Sequence, residues 1–275
     1  MEIVLNDRQL KNLQEIELEM LIELDRICKK NNITYVLIGG SLLGSERHKG
    51  FIPWDDDADV AMLRDDYERF IEACKTDLDT TRFYFQDMNN TAGYRWGYGK
   101  LRRKNTLFLR DGQEHMPYEQ GVFLDIFPED AVADNIFLKK IQLFHCFCFR
   151  KIMWSEVGKR TEKNFLMRWW YVILSKIPEQ QIKKYINKYI SFCNKKYTNS
   201  NLVRTYLFPL NKGLFGYPRV WYENSEEVIF EGINLQASKY RINYLKTKFG
   251  EHYMELPPVE KRQCHPVSQL KLLEK

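Results

Sequence analysis

Three aspartates at alternate positions, Asp55, Asp57 and Asp59, follow closely on a glycine-glycine-serine turn at residues 39–41. The stretch that joins them, GGSLLGSERHKGFIPWDDDADV, constrains this chain more than any other. In extended backbone side chains alternate between faces, so these three acids share one face of a predicted strand while Asp56, Ala58 and Val60 share the other. Carboxylates held that close repel one another unless a cation lies between them. Oxygen ligands without a neighbouring His or Cys ligand suit Mg²⁺ or Mn²⁺. Upstream, the apolar run of residues 33–38 reads as a strand, and the backbone N–H groups of the turn can approach an anion where a helix begins.

A run of aspartates is more often a solvated loop, but here Phe51, Ile52, Trp54, Val60, Ala61 and Met62 flank the acids with residues that favour the interior. A calcium loop fits poorly. With Asp55 as its first ligand, Val60 falls where that loop needs glycine and Asp66 where it prefers a bidentate glutamate. A second acid stands apart: in residues 122–127 Asp125 interrupts an otherwise apolar strand pattern, and such a carboxylate must be paired, protonated or metal-bound.

Four blocks in order resemble the LicD family of phosphocholine transferases, which includes fukutin-like proteins and belongs to the nucleotidyltransferase superfamily. They are the acidic stretch above, GKLRRKNTLF at residues 99–108, GVFLDIFPED at 121–130, and YLKTKFGEHYMELPPVEKRQCH at 244–265. The resemblance implies transfer at a phosphate of an activated nucleotide, with a Gly-Ser turn, a D-x-D pair and a third carboxylate from a later strand. Carried onto this sequence the turn is Gly40-Ser41, preceded by Gly39. The pair is Asp57 and Asp59 and the third acid is Asp125, all three expected to be catalytic and to hold Mg²⁺ or Mn²⁺. Asp125 is either a metal ligand or the base for the attacking hydroxyl. Asp55 matches an acid of fukutin-like relatives and is a supporting residue, whereas Asp56 is expected to face away.

The expected reaction is transfer of a phospho-alcohol, foremost phosphocholine from CDP-choline, to a hydroxyl of a cell-surface or lipid-linked glycan, as in lipopolysaccharide modification. Gly39, Gly40, Ser41, Arg47, His48, Lys49, Lys100 and Arg102 are the expected nucleotide or phosphate contacts, with a weaker case for His265. A quaternary ammonium calls for aromatic faces, and Trp54, Tyr94, Trp96 and Tyr98 are available. Phosphoethanolamine or a polyol phosphate would need the same metal chemistry. Two other readings are a nucleotidyltransferase acting on a protein or nucleic acid, and a non-catalytic binding protein of the same fold.

The expected fold is a mixed α/β sheet of nucleotidyltransferase type flanked by helices, with a catalytic core in residues 1–135 and a mostly helical region in 136–275 packed on it. Helical spacing runs over residues 10–30 and resumes at 65–71, and 83–86 reads as a strand. Residues 94–102 alternate as a strand with 106–109 as hairpin partner. The segment 136–197 reads as mostly helical, and the last block as a helix ending before an extended tail.

A net charge of +5 with 37 acids among the bases does not call for nucleic acid. Six cysteines without C-x-x-C spacing read as reduced thiols, and His145-Cys146-Phe147-Cys148 as core packing, not a zinc site. The amino terminus lacks a secretory layout and no stretch reaches the roughly 20 apolar residues of a membrane span. The expected location is the cytoplasm. Residues 136–154 and 165–177, amphipathic and basic, are candidates for peripheral contact with the membrane's inner face.

Overall fold

The computed structural model describes residues 3–273. It opens with helix α1 (Asp7–Lys30), where the Asn6 side chain accepts the Gln9 N–H and the Gln9 side chain accepts that of Asn6, so two otherwise orphaned donors are satisfied. Its stripe of Leu13, Met20, Leu21, Leu24 and Ile27 is buried. The helix stops at Asn31, and Asn32 turns the chain with a φ of 53°.

Strand β1 (Val36–Leu37), helix α2 (Gly39–Arg47), strand β2 (Asp59–Leu63) and helix α3 (Arg64–Asp77) follow. Next come β3 (Phe83–Gln86), β4 (Gly99–Arg103), β5 (Leu107–Arg110) and β6 (Phe123–Ala131). Helices α4 (Ile136–Thr161), α5 (Phe165–Leu174) and α6 (Glu179–Lys196) form the expected helical segment. Beyond it the chain returns to strands: β7 (Leu202–Arg204), β8 (Tyr217–Pro218), a turn of helix α7 (Val220–Glu223), β9 (Ser225–Phe230) and β10 (Ile233–Ser238). Helix α8 (Arg241–Phe249) ends at Gly250 (φ 94°), and β11 (Val267–Lys271) closes the described chain.

The architecture is the mixed α/β sheet flanked by helices read from the sequence. Its strand order is β3-β4-β6-β2-β1-β10-β9, with β7 and β8 attached at the end of β6. All nine residues of β6 are buried, as a strand covered on both faces must be. β6 runs parallel to β2 with Asp125 opposite Asp59, and antiparallel to β4 with Asp125 opposite Lys100. Residues paired across strands project to the same face, so register alone sets Lys100, Asp125 and Asp59 in a row. Pro128, which has no N–H to donate, lies between the end of the β4 pairing at Ile126 and the start of the β7 pairing at Asp130.

Three local expectations are corrected. The strand begins only at Asp59, so Asp55, Asp56 and Asp57 approach it in non-ladder backbone, although the alternation survives in burial, with Asp56, Ala58 and Val60 inside. Residues 94–98 are loop. And β5 pairs not with β4 but with β11, because β4 already has β3 on one edge and β6 on the other. The main core lies along α1 and the sheet, while α4 and α6 close a second one with Tyr94, Tyr206 and Leu207.

Candidate active site

The polypeptide reaches the acids from two directions. Helix α2 starts at Gly39, whose φ of 56° is costly for any residue with a Cβ. A Cβ there would also stand 2.8 Å from Asp59 Oδ2. The Gly39 N–H donates to the Tyr244 hydroxyl at 3.2 Å, and the first intrahelical bond is Leu42 N–H to the Ile38 carbonyl. The amides of Gly40 and Ser41 thus lie at the open, positive end of the helix. Ser41 Oγ accepts the Asp59 N–H at 2.8 Å, which ties the turn to the start of β2, and the Asp55 carboxylate lies over Gly40.

Burial, then Asp57, Asp125 and Asp55, push Asp59 well above the ordinary carboxylate range, and Lys100 pulls the other way. Burial, then Asp57 and Asp56, push Asp55 up to about 8. Asp125 is also raised, by burial, against the pull of Lys100 and Arg110. Lys100, equally buried and ion-paired to Asp125, falls to about 7. Beneath the cluster Glu17 of α1 is buried, and desolvation followed by the field of Asp57 and its neighbours raises its pKa well above the ordinary carboxylate range.

Arg110 donates to Asp57 Oδ2 at 3.0 Å, and its guanidinium lies 5.0 Å from the Phe123 ring centroid. Burial lowers its pKa, but Asp57 and Asp125 more than offset this and hold it above its ordinary value. Asp56 is not turned to solvent: it accepts the His265 backbone N–H at 2.9 Å and pairs with its ring nitrogen Nδ1 at 2.8 Å. That bond, first among its influences, raises the His265 pKa and fixes the imidazole beside the acids.

Two clefts meet here. A smaller one of about 280 Å³ is lined by Gly39, Gly40, Asp57, Asp59 and a group of aromatic rings. A larger one of about 560 Å³ is lined by Lys100, Arg102, Arg110, Arg150, Trp96 and Tyr98 among others. Phe208, Pro209 and His265 belong to both.

Of the expected phosphate contacts, the structure gathers Gly39, Gly40, Ser41 and Lys100 at the acids, and Arg102 lines the larger cleft while bonded to Gln86 and the Gly121 carbonyl. Arg47 turns the other way, to the carbonyls of Tyr253 and Glu255. His48 stacks edge-on against Trp54, and Lys49 is an exposed turn residue whose carbonyl accepts the Glu231 N–H. Trp54 is covered by Arg262 at 4.8 Å and Tyr94 is buried in the second core, which leaves Trp96 and Tyr98 of the four candidate rings at a cleft. Arg110 and Glu129 were missed. Arg110 sits just outside the family-like block at 99–108, and Glu129 follows Pro128, where a turn is the natural reading.

Among the described residues no group of three His, Cys, Asp or Glu side chains converges as a metal cage. The donor set fits a hard divalent cation in part: Asp57 and Asp59 offer carboxylates at the smaller cleft in an acid-rich neighbourhood. Asp125 is turned to Lys100 and Asp57 to Arg110 in this arrangement.

Residues 32–132, which span the turn, the acids and Asp125, match the LicD/FKTN/FKRP nucleotidyltransferase domain. Over 275 aligned residues, 96% of this chain and 98% of the relative, the sequence is 27% identical to the lipopolysaccharide cholinephosphotransferase LicD of Haemophilus influenzae. Residues 32–132 thus form a LicD-type domain. A further relative, the uncharacterized protein RP689 of Rickettsia prowazekii, is 36% identical over 119 residues, 42% of each chain. The LicD domain match covers Asp55, Asp56, Asp57, Asp59 and Asp125 and stops just before α4, so helices α4 to α6 lie outside it.

Proposed function

We propose that this chain transfers a phosphocholine group from a nucleotide-activated donor, CDP-choline, to a hydroxyl of a glycan. The observation that carries the reading is the position of Asp57 and Asp59 in a cleft that opens on the Gly39-Gly40 turn and shares Phe208, Pro209 and His265 with a basic, aromatic one, with Asp125 paired to Asp59 on the next strand. The whole-length similarity to a lipopolysaccharide cholinephosphotransferase supplies the chemistry.

In this account the amides of Gly40 and Ser41 orient phosphate oxygens at the α2 N-terminus. Asp57 and Asp59 would hold Mg²⁺ or Mn²⁺. Such an ion neutralises phosphate charge and polarises the phosphorus centre. Arg110, from its perch on Phe123, reaches the same oxygens with a guanidinium suited to phosphate. Asp125, already held above the ordinary carboxylate range, accepts the proton of the attacking hydroxyl, and its pairing with Lys100 keeps that carboxylate oriented. The larger cleft takes the glycan acceptor, whose anionic groups suit Arg102, Arg150 and Lys151. Incubation with Mg²⁺, an acceptor glycan and CDP-choline labelled in the choline moiety tests this: CMP is released and the label appears on the acceptor.

We further propose that α5 rests on the membrane that carries the acceptor. Phe165, Leu166, Trp169 and Trp170 are 68, 73, 60 and 48% exposed, an apolar surface that a helix packed on a core would cover. No helix among the described residues is long and apolar enough to cross a bilayer. An aromatic helix lying in the interface accounts for such a face.

A further inference from the structure

The smaller cleft holds features that phosphate chemistry does not use. Past Asp57 and Asp59 it is walled by Phe127, Phe208, Tyr217, Tyr222 and Tyr244. The rings are grouped: Tyr217 lies 5.1 Å from Tyr244, and Phe127 4.9 Å from Phe208, centroid to centroid. Into this wall β6 delivers Glu129, only 5% exposed. Its Oε1 accepts the Thr205 hydroxyl at 3.2 Å, whereas the buried Oε2 has no hydrogen-bond partner among the described residues, and neither has the buried Tyr217 hydroxyl. A buried carboxylate oxygen without a donor is costly in a finished protein interior, and its place in a cleft marks it as a contact for something absent. Burial raises the Glu129 pKa to about 8 against the Thr205 bond and the fields of Arg204, which is no part of the cleft lining, and Lys248, which is, and the Tyr222 hydroxyl leans on the same carboxyl, so a cation that enters the recess draws out its negative charge.

We propose that this recess receives the trimethylammonium end of the transferred group, with the five rings surrounding the cation and Glu129 supplying its counter-charge. A quaternary ammonium cannot donate hydrogen bonds, so it is recognised by aromatic rings and a nearby negative charge, not by a fork of acceptors. The recess adjoins the acids that act on the phosphate to which the choline is bonded. The inference rests on the proposed phosphocholine transfer and names the residues that select the head group.

The test separates the two ideas. Phosphocholine and phosphoethanolamine are titrated by calorimetry, with CMP as the control ligand, into the full chain and into its Glu129→Gln and Phe208→Leu variants. Circular-dichroism melting confirms that each variant is folded. The expected result is phosphocholine bound at least tenfold more tightly than phosphoethanolamine by the parent, a loss of tenfold or more in each variant, and CMP affinity unchanged within twofold. In the transfer assay Glu129→Gln raises KM for CDP-choline and erodes its preference over CDP-ethanolamine. Phosphocholine affinity and donor preference unmoved in both folded variants, or tighter binding of phosphoethanolamine by the parent, overturns the recess assignment even if CMP is released. Selective, variant-sensitive phosphocholine binding without CMP release from CDP-choline sustains the recess and overturns the transfer reading instead.

Discussion

Lys100 and Asp125 face each other across the β4–β6 ladder and form an ion pair with both side chains buried, at 6% and 5% exposure. The pair stands beside Asp59 on the next strand, so the only lysine in the row decides how much negative charge the row can carry.

Removing that lysine leaves a buried carboxylate without compensation, a change that typically costs about 3–5 kcal/mol. Lys100→Met is expected to lower the unfolding free energy by about 3 kcal/mol at pH 6, where Lys100, with its pKa at about 7, still carries its charge. At pH 4 Asp125, whose pKa burial raises above the ordinary carboxylate value, takes up a proton and the loss shrinks. Urea unfolding at the two pH values checks the difference.

The acids make stability depend on pH. Asp55 rises to about 8 in the fold, and Asp59 and Asp125 rise too, so each contributes stability that is present below its unfolded pKa near 4 and lost as pH climbs toward its folded value. Lys100 has the opposite sign, but its contribution changes only above its folded value of about 7. With chelator present, melting temperature is therefore expected to fall between pH 5 and 7. Asp55→Asn flattens that slope by up to about 1.4 kcal/mol per pH unit. Added Mg²⁺ or Mn²⁺ flattens it as well, and a slope indifferent to these ions counts against a metal at Asp57 and Asp59.

Tyr244 is the hinge between the α2 turn and α8. Tyr244→Phe leaves the Gly39 N–H without its acceptor, at a cost of about 1–3 kcal/mol, and loosens the phosphate-facing turn. Thermal melts and donor KM measured together are expected to worsen together.

Arg110 was not visible in the sequence as a site residue, and its role is testable. Arg110→Gln is expected to lower kcat at least tenfold while stability changes little, because Asp57 remains partly open to solvent. Arg110→Lys restores only part of the rate, since a point charge replaces a planar fork.

The exposed face of α5 predicts lipid contact. Trp169→Ser with Trp170→Ser is expected to reduce co-sedimentation with anionic vesicles several-fold and to leave turnover of a water-soluble acceptor unchanged.

What the sequence shows about this site follows from distance along the chain. The Gly-Ser turn, Asp57 and Asp59 lie in one stretch, and Asp125 betrays itself as an acid in an apolar strand, so local pattern and family resemblance bring them out. Arg110 is placed by the pairing of β5 with β11, a contact between distant segments that no local rhythm announces. The same pairing defeated the expected β4–β5 hairpin. Arg47 and Lys49 illustrate the reverse: they sit inside the acidic stretch in sequence, but α2 carries them away from its N-terminal end, toward residues 253–255 and the β9–β10 turn. The strands after residue 202 carry weak apolar patterns, and β9 is half open to solvent, so their place in the sheet depends on β1 and β10 meeting.

The most direct test of the account is CMP release from choline-labelled CDP-choline by the parent chain and by Asp57→Asn, Asp59→Asn and Asp125→Asn, each checked for folding. The parent is expected to release CMP and pass the label to the glycan, and each variant to fall by about 100-fold or more. Label left in free choline phosphate with the nucleotide passed to the acceptor, or a folded Asp57→Asn protein as active as the parent, contradicts it.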